Sequence, residues 1–159
     1  MTDIPAWAES LELAPHPEGG WYRETWRSDI ELPGVALPNM FAGSRAAGTA
    51  ILFLLGAGQR SAWHAVRGTE LWLYHRGSPL LLELGGSGSE PGDVTRHVLG
   101  ADVSAGQSPQ VVVPPCTWQR ARPIDDDATL ASCVVVPGFD FADFRLDGQD
   151  YPMPAPARF

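Results

Sequence analysis

The chain has 159 residues, a formal net charge of -8 at pH 7, and no lysine among its 11 basic residues. The missing amine excludes a pyridoxal-phosphate Schiff base, a lysine general base and a P-loop. The acidic balance argues against nucleic acid or an anionic membrane as partner, because both require a basic surface. With 17 Gly, 15 Pro and 44% hydrophobic residues, the composition predicts one packed domain of short strands and turns over residues 1–159.

The sequence also bears on location. No stretch approaches 18 apolar residues, and the first 13 residues lack the basic and apolar pattern of a signal peptide. Two cysteines, Cys116 and Cys133, form neither a disulfide framework nor a zinc-knuckle spacing. We therefore expect a cytoplasmic protein.

Taken in chain order, the first predicted element is a short helix over residues 4–12, where apolar residues recur at helical spacing. A Gly- and Pro-rich loop follows over 15–20, and an aromatic strand over 21–26. Further strands are predicted at short intervals, over 49–55, 61–66, 70–75, 79–84, 94–99, 110–113, 118–121 and 129–136. Strands at this spacing predict an all-β sandwich or barrel.

The chemically informative stretch runs from Gly58 through His64, Val66 and Glu70 to Gly77. Alternate residues of a strand share one face, so His64 and Val66 point the same way. By the same count Trp72 and Tyr74 share a face with Glu70. If the inner face of this hairpin is the barrel interior, an imidazole, a carboxylate, an indole and a phenol converge in one cavity.

This stretch resembles the first motif of the cupin superfamily, Gly-x5-His-x-His-x3,4-Glu-x6-Gly, with Val66 in place of the second His. The second cupin motif matches less well. Pro114 is kept, but Cys116 replaces a Gly, Gln119 replaces the His and Pro123 stands where the Asn belongs.

Other segments resemble cupin family five, a branch of mostly uncharacterised function. They are residues 17–28, 63–64, 74–77, 113–114, 118–119 and 136–144, so the resemblance covers about residues 13–146. It implies a double-stranded β-helix of the jelly-roll type after a short N-terminal helix, with the barrel core at about 20–146. It also implies a small-molecule pocket and a homodimer.

A typical metal cupin offers three His and one Glu to Fe, Mn, Ni or Zn. Here the resemblance leaves His64 and Glu70, with Gln119 as a weak third ligand. We expect no cofactor, and a divalent metal stays an alternative. The ordinary alternative is that His64 and Glu70 bind an organic ligand or form a polar contact with each other.

A metal-free site gives the same residues other roles. His64 is suited to be a base because its ordinary pKa lies near neutrality, Tyr74 would be the opposing acid, and Glu70 would orient the imidazole. Some cupin sugar-nucleotide epimerases pair a His base with a Tyr acid. Packing with a satisfied hydroxyl is the ordinary alternative for Tyr74.

Several further residues are candidate ligand-binding groups, namely Arg23, Glu24, Trp63, Trp72 and Gln119. Adjacent strand residues face opposite sides, so only one of Arg23 and Glu24 enters the barrel unless a bulge intervenes. An inward Arg23 would clamp an anionic group, and a surface Arg–Glu pair is the alternative. His16 and His97 are expected in solvent, and His75 on the outer surface or at a subunit contact.

Three function hypotheses remain. The first is a metal-independent isomerase, epimerase or lyase that acts on a polar sugar- or nucleotide-like substrate. The second is a non-catalytic ligand-binding module, which explains the lost metal ligands equally well. The third is a metal-dependent cupin enzyme with a reduced ligand set.

Overall fold

The computed structural model describes residues 4–152. In this range the chain forms short 3₁₀ helices at Ala6–Leu11, Gly34–Ala36, Val103–Ala105 and Phe141–Asp143. The strands are β1 (Ala14–Pro15), β2 (Trp21–Arg27), β3 (Glu31–Leu32), β4 (Arg45–Ala46), β5 (Thr49–Leu55), β6 (His64–Val66), β7 (Thr69–Gly77), β8 (Leu80–Leu84), β9 (Thr95–Leu99), β10 (Gln110–Val113), β11 (Gln119–Pro123), β12 (Thr129–Val136) and β13 (Phe144–Leu146).

Two antiparallel sheets form the body of the fold. The six-stranded sheet has the order β1-β2-β5-β12-β7-β10, and the five-stranded sheet has the order β13-β6-β11-β8-β9. Strands β3 and β4 make a separate small ribbon. From β5 to β13 the chain alternates between the two sheets, except at β8 and β9, which pair within the smaller one. This alternation closes the sheets into a barrel and confirms the predicted all-β architecture.

The main core lies between the sheets. Its aromatic centre is Trp72 against Phe53, with ring centroids 5.6 Å apart in an edge-to-face arrangement. Leucines of β8 close it from the opposite sheet, with Leu80 and Leu82 almost fully buried. Each such side chain contributes about 1.5–3 kcal/mol on burial, so this core supplies the main driving force for folding.

The N-terminal helix covers the outer face of the larger sheet. Ala8 packs with Leu54 of β5 and Leu130 of β12 in a second cluster. Because this helix covers the sheet, the end of β5 is buried on both faces, which explains why β5 is a continuous run of apolar residues. The predicted helix over 4–12 is thus present, as a 3₁₀ helix. Among residues 4–152, no helix is long and apolar enough to cross a membrane.

The predicted strands are confirmed with shifted boundaries. The largest change is at 61–66, where only His64–Val66 is a strand. Its ladder partners are one residue of β11 and the three residues of β13, and they extend no further toward residue 61. The sequence analysis missed β1, β3, β4 and β13, each of two or three residues. Segments this short carry too few side chains to show a period-2 pattern.

Gly77 gives a test of the barrel corner at the end of β7. Its φ is +90°, and an added Cβ would overlap the carbonyl oxygen of Ala128. Gly86 has a φ of +71° with open space around it. We expect Gly77→Ala to lose more than about 3 kcal/mol in urea unfolding, because backbone overlap adds to left-handed strain. Gly86→Ala should lose roughly 1–2 kcal/mol. Equal losses would contradict this account.

Candidate active-site pocket

A cavity of about 380 Å³ opens between the two sheets. Its floor comes from β6, β7 and the loop before β2, and its walls come from β2, β5, β12 and residues 139–144. The lining residues are His16, Glu18, Tyr22, Glu24, Arg27, Thr49, Ile51, Phe53, His64, Val66, Glu70, Cys133, Val135, Phe139, Asp140, Phe141 and Phe144. The volume suits a small organic molecule.

A buried ion pair forms the floor. Nε2 of His64 lies 2.9 Å from Oε2 of Glu18, and Nδ1 of His64 lies 2.9 Å from the carbonyl oxygen of Ala62. A carbonyl only accepts, so Nδ1 carries a proton. Because Nε2 faces a carboxylate, a second proton on the ring completes the pair. The geometry therefore favours the imidazolium form of His64.

The electrostatics of His64 agree with this geometry. Burial lowers its pKa, but the Glu18 carboxylate, assisted by the charge of Glu70, outweighs burial and raises the pKa from 6.5 to about 9. At neutral pH His64 is a cation that can donate a proton or stabilise negative charge. The expected role of His64 as a neutral base is not supported by this arrangement.

A second carboxylate, Glu70, sits in a fixed hydrogen-bond chain. The indole Nε1 of Trp72 donates to Oε1 of Gln119 over 2.9 Å, and Nε2 of Gln119 donates to Oε2 of Glu70. Indole has no acceptor, so Trp72 fixes which end of the amide faces Glu70. Burial raises the pKa of Glu70, against the opposing effect of charged His64. A carboxylate with a raised pKa is a stronger base once it is ionised.

His16 is a third titratable group in the cavity, although the sequence analysis expected it in solvent. Its Nδ1 accepts the backbone N–H of Glu18 over 3.2 Å, which assigns the ring proton of the neutral form to Nε2. Burial lowers the pKa of His16, so the ring is neutral at pH 7. Tyr22, Phe53 and Phe144 surround it at centroid distances of 4.6–5.9 Å.

The mouth of the cavity carries a matched pair of charges. Arg27 makes two hydrogen bonds to Glu24, with Nε to Oε1 at 2.9 Å and NH2 to Oε2 at 2.8 Å. The same NH2 also donates to the carbonyl oxygen of Phe139. Of the two candidates on this strand, Glu24 faces the cavity, whereas Arg23 reaches outward to Glu12.

The aromatic wall is a closing segment over residues 137–144. A buried ion pair fixes it to the barrel, because Arg45 contacts Asp143 through two hydrogen bonds of 2.7 and 3.0 Å. Phe139 adds a backbone hydrogen bond to Oγ1 of Thr49. These anchors hold Phe141 and Phe144 over the floor of the cavity.

Four candidates from the sequence lie in or directly against the cavity, namely Glu24, His64, Glu70 and Gln119, and the others do not. His64 and Glu70 line the cavity, and Gln119 lies directly across from His64 in the strand register. Tyr74 is on the predicted inner face but donates its hydroxyl to the carbonyl oxygen of Gly77. It is four residues from Glu70, about 13 Å along the strand, and outside the lining, so the expected acid role has no geometric support.

The two tryptophans expected in the pocket also lie outside its lining. Trp72 is behind Gln119 in the core, and Trp63 stacks beneath the Arg120 guanidinium at 4.6 Å. The sequence analysis missed Glu18, His16 and Arg27. The signal was available in part, since Glu18 belongs to the 17–28 segment that resembles cupin family five.

Comparisons with known proteins settle the family. The profile of Cupin_5, described as Cupin superfamily (DUF985), matches residues 5–147. The chain belongs to this cupin family. No curated protein matches it.

Solved structures agree with this assignment. This cupin is 34% identical to a protein from Shewanella oneidensis, with a TM-score of 0.76 over 92% of this chain and 85% of that one. A hypothetical protein from Leishmania major is 32% identical, with a TM-score of 0.76 over 87% and 84% of the two chains. The capsular polysaccharide assembling protein CapF from Staphylococcus aureus shows the fold alone, at 11% identity and a TM-score of 0.59 over 84% and 31%. The predicted double-stranded β-helix is confirmed.

The residues of this cupin do not fit the metal centre of a typical metal cupin. Nε2 of His64 is directed at Glu18, and the Gln119 amide presents its nitrogen to Glu70, so neither offers a free lone pair to an ion. Val66 supplies no donor. Within residues 4–152, no group of three or more His, Cys, Asp or Glu side chains is arranged to hold a metal.

The raised pKa of His64 predicts a pH effect on stability. The group is more basic in the folded than in the unfolded chain, so its stabilising contribution is complete below pH 6.5 and is lost as pH rises through about 9. We expect the free energy of unfolding to decline over this window, and Glu18→Gln to remove that part of the decline. Urea unfolding at several pH values measures it.

The control is Glu90→Gln, which makes the same change from carboxylate to carboxamide at an exposed residue of the 86–93 loop. It should keep the wild-type pH profile. An NMR titration of the His64 ring gives a second readout, and an apparent pKa near 6.5 would contradict the assignment.

Proposed function

We propose that this cupin is a metal-independent enzyme that moves a proton on a small polar, sugar- or nucleotide-like substrate, as an isomerase, an epimerase or a lyase. One observation carries the proposal: a buried imidazolium, His64, lies under the influence of two carboxylates, Glu18 and Glu70, at the floor of a pocket of small-molecule size. Perturbed titratable groups that converge in a cavity are typical of proton-transfer sites.

The charge states assign the roles. Glu70 accepts a proton from a substrate carbon next to a carbonyl, and the electron pair of the broken C–H bond moves onto the carbonyl oxygen as an enolate. The positive charge of His64 stabilises that oxygen. Return of the proton from Glu70 to the neighbouring carbon completes an isomerisation, and delivery of a proton from water to the opposite face of the original carbon completes an epimerisation. Departure of a leaving group with its electron pair from the adjacent carbon completes an elimination.

Glu18 acts on His64 rather than on the substrate. Its Oε2 holds the Nε2 proton over 2.9 Å and keeps the ring charged at neutral pH. His16 contributes the Nε2–H of a neutral imidazole, a donor that can polarise a carbonyl without being deprotonated itself. A base, a charged stabiliser and a neutral donor thus surround one volume.

A specific observation favours the second candidate, a non-catalytic ligand-binding module. Both ring nitrogens of His64 are hydrogen bonded to protein, and Oε2 of Glu70 already accepts from Gln119. A fully satisfied network is also what a static binding pocket needs. The two candidates differ in one measurable event, the breaking of a C–H bond.

Deuterium exchange detects that event. We would screen sugars, nucleosides, nucleotides and keto acids by thermal shift, then incubate each stabilising compound with the protein in D₂O. Incorporation of deuterium at carbon is expected, and Glu70→Gln should slow it by about 10²-fold or more, the usual contribution of a general base.

Glu90→Gln is the matched control for this experiment and should exchange at the wild-type rate. A compound that stabilises the fold but is recovered unchanged and without deuterium would establish the binding module instead.

A homodimer is the second part of the proposal. On the outer face of the larger sheet, Val134 of β12, Leu71 of β7 and Val112 of β10 lie side by side in register. Val112 is 57% exposed in the single chain. Together with the half-buried Leu71 and Val134, this exposed side chain suits a self-complementary interface between two copies of one chain.

Val112→Glu tests this interface. We expect the wild type to be a dimer by light scattering after size exclusion and the variant to be a monomer, because a desolvated carboxylate opposes association. Val103→Glu, at a residue 66% exposed in the 3₁₀ helix between β9 and β10 and not on a strand of the larger sheet, is the matched control and should stay dimeric. A monomeric wild type would overturn the proposed dimer.

A further inference from the structure

We infer that the pocket accepts an uncharged or positively charged ligand with an apolar ring face, and that it excludes phosphate and carboxylate groups. The inference rests on the proposed small-molecule function of this site and narrows its substrate class. It favours the sugar or nucleoside part of a substrate, without its phosphates, as the occupant of the cavity.

The cations in the lining are already neutralised. In the described part of the chain, the lining includes three groups that can be positive: His16, Arg27 and His64. Arg27 is held by both oxygens of Glu24, and His64 is paired with Glu18. His16 is kept neutral by burial, which lowers its pKa.

The remaining charge in the lining is acidic. Asp140 lies at the mouth, where its Oδ1 accepts the N–H of Ala142. Glu70 lies at the floor, bonded to the Gln119 amide. With the two ion pairs internally balanced, these carboxyl groups give the cavity a zero or negative net charge, so an incoming anion loses water and gains no free cation.

The aromatic side chains of the cavity walls indicate which kind of ring the ligand carries. Phe139, Phe141 and Phe144 pack edge-to-face on one another with centroids 5.0–6.2 Å apart. Phe53 and Tyr22 face them across the His16 ring. Such a surface stabilises a planar or apolar ring, and an aromatic wall also favours cations through its quadrupole.

Three probes of nearly equal shape test the charge rule. Benzamidine is cationic, benzamide is neutral and benzoate is anionic at pH 7. We would titrate each into the wild-type protein by calorimetry and follow the His16 ring signals by NMR to locate binding. Benzamidine should bind with a Kd at least about tenfold lower than that of benzoate, with benzamide between them.

Two isosteric substitutions test the cause. Glu24→Gln removes the carboxylate that Arg27 contacts directly and leaves this cation under the influence of Asp140 alone among the lining carboxylates that act on it, so benzoate should gain at least about fivefold in affinity. Asp140→Asn keeps the hydrogen bond to Ala142 and removes a charge, so the preference for benzamidine should shrink. Glu90→Gln is the matched control and should leave all three affinities unchanged.

Several outcomes would overturn the inference. Benzoate that binds the wild type as tightly as benzamidine would do so, as would failure of all three probes to shift the His16 signals. A Glu24→Gln protein that still excludes benzoate would also do so, because the exclusion is assigned to neutralised Arg27. A benzamidine preference without deuterium exchange on any metabolite would leave this inference standing and remove only the catalytic proposal.

Discussion

The contact between Glu18 and His64 connects two distant parts of the chain and keeps the His64 ring at the floor of the pocket positively charged. Glu18 lies in a Gly- and Pro-rich loop, and His64 begins β6 in the opposite sheet. The backbone supports the same contact, since Ala62 N–H donates to the Glu18 carbonyl oxygen over 2.6 Å. Removal of one partner from such a buried pair costs about 3–5 kcal/mol, because the other charge is left without compensation.

The rest of the site follows from this pair. A charged His64 makes ionised Glu70 less unfavourable, which partly offsets the burial of that carboxyl. The buried Arg45–Asp143 ion pair also stabilises the site, because it fixes the closing segment (residues 137–144) over the floor of the cavity. Two buried ion pairs therefore hold the site together between segments that lie far apart in the sequence.

The sequence predicted the barrel well because most of the longer strands carry their own apolar pattern and end at or next to a Gly or Pro. It predicted the site only where the residues lie on those strands. His64, Glu70 and Gln119 are brought together by strand register, which a motif records. Glu18 is 46 positions before His64 in an irregular loop, and no local pattern reports a contact that depends on the whole fold.

Tyr74 shows a second limit of prediction from the sequence, because a residue on the correct face of a strand can still lie outside the site. Period-2 alternation gave its face correctly, yet a face says nothing about depth along a strand. Tyr74 lies too far along β7 to reach the cavity and uses its hydroxyl at the Gly77 corner. His16 was misjudged for a related reason, because a histidine in a loop looks solvated until the aromatic side chains around it are placed in space.

The amide of Gln119 has a consequence for how this pocket can change over evolution. Its two ends serve different partners, the Trp72 indole and the Glu70 carboxyl. An apolar substitution at position 119 would leave the buried indole N–H without this acceptor and Glu70 without the amide donor, with the Cys133 thiol as the other hydrogen-bond partner of Glu70. Conversion to a three-histidine metal centre would need changes at Gln119 and Val66, and also at Glu18, whose carboxylate contacts Nε2 of His64. The effects of such neighbouring changes are strongly non-additive. The network thus favours variants that keep the Trp72–Gln119–Glu70 chain at the floor and vary the walls.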